Sequence, residues 1–290
     1  MNYLKHFGLR ELPFGITPDT SYFFACRSIQ EALNTLLIAV ANGEGFIKIT
    51  GEVGTGKTLL CRKFLSTLGP SWVSAYIPNP NVEPRVIQLA LAEELGVSGS
   101  VEPHRLEKDL TQRLLDIARQ GKRVVLCMDE TQAMPLATLE TVRLLTNLET
   151  EKRKLLQVVL FGQPELDRKL ASESIRQLRQ RITFQYQLRG VDREEIGAYV
   201  EHRLAIAGHA GAPLFDAGAL RALHQASRGV PRLVNILAHK AMLLVFGEGG
   251  RCATPRHVQE AIADTPAAAA ARAWWWPRLK ASRAADSASR

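Results

Sequence analysis

Metal-binding and disulfide patterns are missing from this sequence. Its four cysteines, Cys26, Cys61, Cys127 and Cys252, are scattered and none pairs at CxxC spacing, which argues against a zinc ribbon or a disulfide scaffold and fits a reducing compartment. No uncharged apolar run approaches the ~20 residues that a membrane-spanning helix needs. The opening MNYLKHFGLRELPFG lacks a basic start followed by an apolar stretch, so no secretory leader is expected. Internal repeats are also missing. Acidic residues are in the minority, 29 against 37 Lys and Arg, giving a formal net charge of +8. Half of that excess lies beyond Pro266, where Arg272, Arg278, Lys280, Arg283 and Arg290 face only Asp286. The rest of the chain is only mildly basic and would steer nucleic acid weakly.

What is present is ordinary globular composition, with 46% hydrophobic and 23% charged residues over 290 positions, enough for one or two domains. Residues 1–27 read as an irregular N-terminal segment, pinned down by Phe7, Phe14, Tyr22, Phe23 and Phe24. Helical spacing runs from about Ser28, a candidate N-cap, to Ala41. Strand and helix signals then alternate: strands at 46–50, 72–77, 123–128, 155–161 and 182–188, and helices at 57–68, 84–96, 104–120 and 135–148. Such alternation predicts an α/β fold, a five-stranded parallel sheet with helices on both faces, across 28–190. After Gly190 the β signal stops. Helical patterns at 192–208, 216–227, 231–247 and 255–264, broken by Gly and Pro, predict a second, all-helical domain over 191–265.

The most specific motif is Gly51-Glu52-Val53-Gly54-Thr55-Gly56-Lys57-Thr58, a full GxxxxGK[ST] phosphate loop between a β-run and a helix that continues through Leu59. The glycines let the backbone curl round phosphate oxygens and turn N–H groups inward. The helix adds its positive N-terminal end. Lys57 supplies an ammonium to the terminal phosphates and Thr58 a hydroxyl to Mg²⁺, so ATP or GTP is the expected ligand.

About 70 residues on, Val124-Val-Leu-Cys-Met-Asp129-Glu130 places two carboxylates at the C-terminal end of a buried strand, where open α/β sheets bind ligands. Asp129 is expected to hold Mg²⁺ and Glu130 to orient and deprotonate the attacking water. Gln163, at the tip of the fourth strand, is a candidate for contact with the γ-phosphate or that water. Arg179 and Arg181, in the basic run before the fifth strand, are candidates for an arginine supplied to a neighbouring subunit, which requires a homo-oligomer. Arg232, in Gly229-Val-Pro-Arg232 at a helix start, is a candidate sensor of the terminal phosphate.

Together these residues resemble an AAA+ P-loop ATPase, with a helical lid following the α/β domain. The resemblance makes Asp129-Glu130 the Walker B pair, Gln163 the first sensor (where Asn is more usual), Arg179 and Arg181 the finger region and Arg232 the second sensor. At the N-terminus, Tyr3-Leu-Lys-His-Phe7-Gly8-Leu9-Arg-Glu-Leu-Pro13-Phe14 and Thr17-Pro18-Asp19 are similar to the opening of the general secretion ATPases of the ExeA/GspA type. Leu160-Phe-Gly-Gln-Pro-Glu-Leu166 continues the likeness. Within that family the sequence looks most like the members encoded with mannose-sensitive haemagglutinin type IV pilus genes. The resemblance implies a cytoplasmic Mg-dependent ATPase serving pilus or secretion assembly proteins at the inner membrane.

Residues 266–290 form a basic tail with Trp274-Trp275-Trp276, suited to peripheral contact with an anionic membrane or to docking on a partner. Two other classes of function share these motifs. One is a DNA-associated AAA+ ATPase of the transposition or helicase-loader type, which the absence of a helix-turn-helix or zinc module disfavours. The other is a nucleotide-gated scaffold with little turnover.

Overall fold

The computed structural model describes residues 2–97, 103–150 and 153–268. In chain order the elements are α1 (Tyr3–Phe7), α2 (Arg27–Ala41), β1 (Phe46–Gly51), α3 (Lys57–Thr67), β2 (Trp72–Ile77), α4 (Pro84–Glu94), α5 (Pro103–Arg119) and β3 (Arg123–Met128). They continue with α6 (Leu136–Leu145), β4 (Glu149–Thr150), β5 (Arg153–Lys154), β6 (Leu156–Gly162), α7 (Glu165–Leu170), α8 (Arg176–Arg181) and β7 (Ile182–Leu188). Helices α9 (Ile196–Ile206), α10 (Ala217–Ser227), α11 (Pro231–Gly247) and α12 (Pro255–Ala263) complete the described chain. The described residues form two compact units: one within Ser28–Leu188, and one that joins the segment up to Arg27 with the residues from Arg189 onward.

The first unit is built on a parallel sheet of order β2-β3-β6-β1-β7. Burial explains which sequence signal each strand shows. β3 and β6 lie inside the sheet and are covered on both faces, so Val124-Val-Leu-Cys-Met128 and Leu156–Gly162 are almost unbroken buried runs. β7 is an edge, and its residues alternate between half-buried and exposed until Leu188. Because side chains alternate across a strand, Leu126, Met128, Val158 and Leu160 face one layer, packed with Ile87 and Leu91 of α4, Leu106, Leu110 and Leu114 of α5, and Leu139 and Val142 of α6. Truncating one of these to Ala would cost roughly 2–5 kcal/mol. Cys127 faces the other layer against Cys61 of α3, and their mutual hydrogen bond, with burial, pushes the Cys61 thiol upward.

The helical unit gathers α9–α12 with residues 2–27. Proline at the first turn starts α11 and α12, and the Asp216 side chain accepts from Ala219 N (2.6 Å) to cap α10. The N-terminal aromatics pack here: Phe14 edge-on to Phe215, Phe24 to Tyr199, and Tyr3 to Phe246. Arg203, buried in α9, donates to Pro13 O (2.7 Å) and Gly15 O (3.3 Å) and lies over the Tyr22 ring. Asn235 of α11 also donates to Gly15 O (3.0 Å).

Three local readings differ from the structure. The irregular N-terminal segment contains α1, capped by Asn2 and closed by Gly8 at φ 67°; five residues are too few to show a helical period. Ser28 is no cap. The helix starts a residue earlier, and Ser28 is buried with its hydroxyl 3.3 Å from that of Tyr186. The β4–β5 hairpin, two residues per strand, carries no alternation signal. The expected membrane or partner contact through Trp274–Trp276 falls on residues outside the described ones.

Candidate active site

The sheet order brings three strand tips side by side. β6 lies between β1 and β3, so Gly162-Gln163 emerges between the phosphate loop and Asp129-Glu130. All five strands of this sheet run parallel, and the three tips therefore open on one edge.

The loop after β1 has the backbone its glycines permit. Gly54 and Gly56 take φ 81° and 98°, values that L-side chains resist. Gly51 is required for space: a Cβ there would lie 2.8 Å from Thr55 Oγ1 and 3.0 Å from Leu188 O. Thr55, buried, fixes the turn by donating through Oγ1 to Glu52 O (2.9 Å). Glu52 and Val53 at the crest are exposed, Gly54 and Gly56 half-buried. Lys57 is buried beneath them and its Nζ donates to Gly51 O (2.8 Å) and Glu52 O (3.0 Å). Burial lowers its pKa, while Glu130, Asp129, Glu52 and Glu165 pull the other way. Leu59 is half-buried in the first turn of α3.

Asp129 extends β3 by one bond, its N–H donating to Ile77 O (3.0 Å). The carboxylate is buried; Oδ2 accepts from Thr58 Oγ1 (2.5 Å) and Oδ1 from Glu130 N (2.9 Å). Burial raises its pKa, against these hydrogen bonds and Lys57. Glu130 then turns left-handed at φ 52°, an unfavourable conformation for a non-glycine residue that such sites often hold. The reversal starts a short 3-10 turn, Thr131–Ala133. Glu130 Oε2 accepts from Gln163 Nε2 (3.3 Å) and from Gln132 Nε2 (2.6 Å).

The sequence-predicted residues Gly51–Leu59, Asp129, Glu130 and Gln163 thus meet within the Ser28–Leu188 unit. The two finger candidates differ. Arg181 is half-buried and donates to Arg143 O (3.4 Å) and Thr146 Oγ1 (3.3 Å) in its own fold. Arg179 is exposed, and its side chain makes no bond among the described residues. Arg232 belongs to the other unit, exposed in the first turn of α11. The turn before it is tightly specified: Gly229 has φ 73°, and a Cβ there would lie 2.0 Å from Val191 O. Sequence reasoning missed Gln132 altogether. A glutamine two residues beyond the acidic pair has no periodic or charge signature, and only the reversal at Glu130 brings it back.

Comparison with known proteins agrees with this geometry. Residues 40–170 match the AAA domain family. The chain is 41% identical over 256 residues to general secretion pathway protein A of Aeromonas hydrophila, covering 85% of this chain and 45% of that protein. It therefore spans less than half of that relative's length. Among solved structures it is similar to Cdc6p from Pyrobaculum aerophilum (TM-score 0.62, 17% identity, 81% of this chain and 66% of that one). Another is the Aeropyrum pernix ORC1 protein in complex with DNA (0.61, 18%, 87% and 69%). Thermotoga maritima RuvB, a Holliday junction branch migration motor, is a third (0.53, 16%, 81% and 67%). At such identities the structures establish the fold alone. A phosphate loop on β1, an acidic pair on β3 and a polar tip on the strand between them sit on a P-loop AAA fold, in a chain similar in sequence to general secretion pathway protein A.

Proposed function

We propose that this protein binds ATP and hydrolyses it with Mg²⁺ to drive assembly of a secretion apparatus or type IV pilus from the cytoplasmic face of the inner membrane. The Thr58–Asp129 contact directly beside Lys57 is the observation that carries the chemical part. The donor set suits Mg²⁺, a hard cation that takes one or two protein oxygens and completes its shell with water and phosphate. Among the described residues no group of three or more His, Cys, Asp or Glu gathers to hold a metal by protein alone. Thr58 would ligate the ion and Asp129 would hold it directly or through water. Bound there, Mg²⁺ neutralises phosphate charge.

The loop N–H groups and Lys57 orient the terminal phosphates. Glu130 takes a proton from the attacking water as the water oxygen bonds to the γ-phosphorus and the bond to the β-phosphate oxygen breaks towards ADP. Gln163 holds Glu130 in register. Arg179, exposed and unengaged, serves a neighbouring copy in a homo-oligomer, while Arg232 of the helical lid senses the terminal phosphate. The division into N-terminal segment 1–27, nucleotide domain 28–190, lid 191–265 and tail 266–290 belongs to the same reading.

The assembly role rests on the likeness to general secretion pathway protein A, and the pilus assignment on the sequence resemblance. No helix of the described residues is long and apolar enough to cross a membrane; contact through the basic tail would be peripheral. The test is paired. Lys57→Ala should abolish ATP binding, Glu130→Gln should bind ATP with turnover cut to a small residual rate, and neither should restore pilus assembly or secretion to a strain lacking the gene. Normal assembly with both variants would reject the role.

A further inference from the structure

Gln132 makes contacts that the roles above leave unused. Its Nε2 donates to Glu130 Oε2 at 2.6 Å, and its Oε1 accepts from the backbone N–H of Gln163 at 3.0 Å. One side chain thus ties the tip of β3 to the tip of β6. The backbone around it is fixed from three sides. Glu130 reverses the chain at φ 52°, Thr131 Oγ1 donates to Phe161 O (2.8 Å), and Lys169 Nζ donates to Gln132 O (2.5 Å) and Met134 O (2.6 Å). Space is reserved as well: a Cβ on Gly162 would lie 2.8 Å from Thr131 Oγ1 and 3.3 Å from Gln132 Oε1.

The two donors on Glu130, Gln132 and Gln163, grip the same oxygen, Oε2. Oε1 makes no hydrogen bond among the described residues. A carboxylate that must accept a proton needs one oxygen free and the other anchored, because the free lone pair has to point at the water within hydrogen-bond reach. The Gln132 bond is the shorter of the two and comes from a side chain that is itself held.

We propose that Gln132 is a positioning residue for hydrolysis, clamping Glu130 Oε2 so that Oε1 faces the attacking water, and locking Gln163 to the same frame. This rests on the hydrolytic reading of the site. The contact aligns the base and does not restrain it, so its loss lowers turnover.

The experiment measures kcat, ATP affinity and thermal stability for wild type, Gln132→Ala and Gln132→Glu, the last retaining length but lacking the N–H donor. Each variant is also made in the Glu130→Gln background. Both single variants should lose about tenfold to a hundredfold in kcat, as expected for a base displaced by about an ångström. ATP affinity should stay within about twofold and the melting temperature nearly unchanged. In the Glu130→Gln background the Gln132 substitutions should change the residual rate less than about twofold, because residues acting as a unit are non-additive. A kcat within twofold of wild type, a raised kcat, or a full additive loss in the Glu130→Gln background would overturn the proposal. So would losses in ATP affinity and stability that match the loss in kcat. If the wild type turns over no ATP, the hydrolytic reading falls; if it does and Gln132→Glu matches it, only the clamp falls.

Discussion

Thr58 and Asp129, 71 residues apart, meet through a 2.5 Å hydrogen bond from the threonine hydroxyl to the buried carboxylate. Two oxygen donors suited to one small cation are thus in contact before any ligand is considered. Thr58→Ala should raise the Mg²⁺ concentration for half-maximal ATPase activity by about tenfold to a hundredfold, the range typical for removing a supporting metal contact. A magnesium titration at saturating ATP checks it; an unchanged midpoint would separate Thr58 from the ion.

Asp129 also carries a stability consequence. Burial raises its pKa in the folded chain above the ordinary aspartate value of 3.8. The ionised form is therefore penalised by folding. Relative to unfolded chain, the protein is favoured while the group is protonated in the fold, and that advantage is lost as pH rises through the raised value. Asp129→Asn should accordingly raise the melting temperature of nucleotide-free protein at pH 8, with a gain that shrinks as pH falls towards the aspartate range, while abolishing Mg-dependent turnover. Thermal scans across pH read the slope directly.

Arg179 and Arg181 should part company when replaced. Arg181→Ala removes bonds to Arg143 O and Thr146 Oγ1 and should cost about 1 kcal/mol of stability with a lesser effect on kcat. Arg179→Ala should leave stability within about 0.5 kcal/mol yet lower kcat by about 10³-fold if it acts across subunits. Mixing Arg179→Ala protein with inactive Lys57→Ala protein should recover activity, since each then supplies what its neighbour lacks.

Two glycines of the helical unit should respond in opposite directions. Gly229 stands at φ 73° against Val191 O, and its own carbonyl accepts from Val191 N (2.8 Å). Gly229→Ala should destabilise by about 2–4 kcal/mol. Gly247 ends α11 with open space where a Cβ would go. Gly247→Ala should stabilise by about 0.5–1 kcal/mol. Urea unfolding of both variants against wild type decides the sign.

How much of this was legible in sequence depends on how local each cause is. The phosphate loop is written in contiguous residues, since Gly51, Gly54 and Gly56 meet backbone demands within a few positions. The buried strand β3 announces itself by an unbroken apolar run, and the edge strand β7 by alternation, because each reports its own solvent exposure. Asp129 and Glu130 were recognisable from their place at the end of such a run. Helix α1 and the β4–β5 hairpin were too short to show any period.

The sequence by itself determined the α/β architecture followed by helices, the phosphate loop and the acidic strand end, for these follow from backbone sterics and from burial one element at a time. Only the tertiary structure decided that β6 lies between β1 and β3, that Arg181 is engaged in its own fold while Arg179 is not, and that Gln132 returns to hold Glu130. Strand order and side-chain partnership arise from packing between segments far apart in the chain. A left-handed turn at a single glutamate redirects everything after it, and no local pattern of residue types records where such a turn will send a side chain.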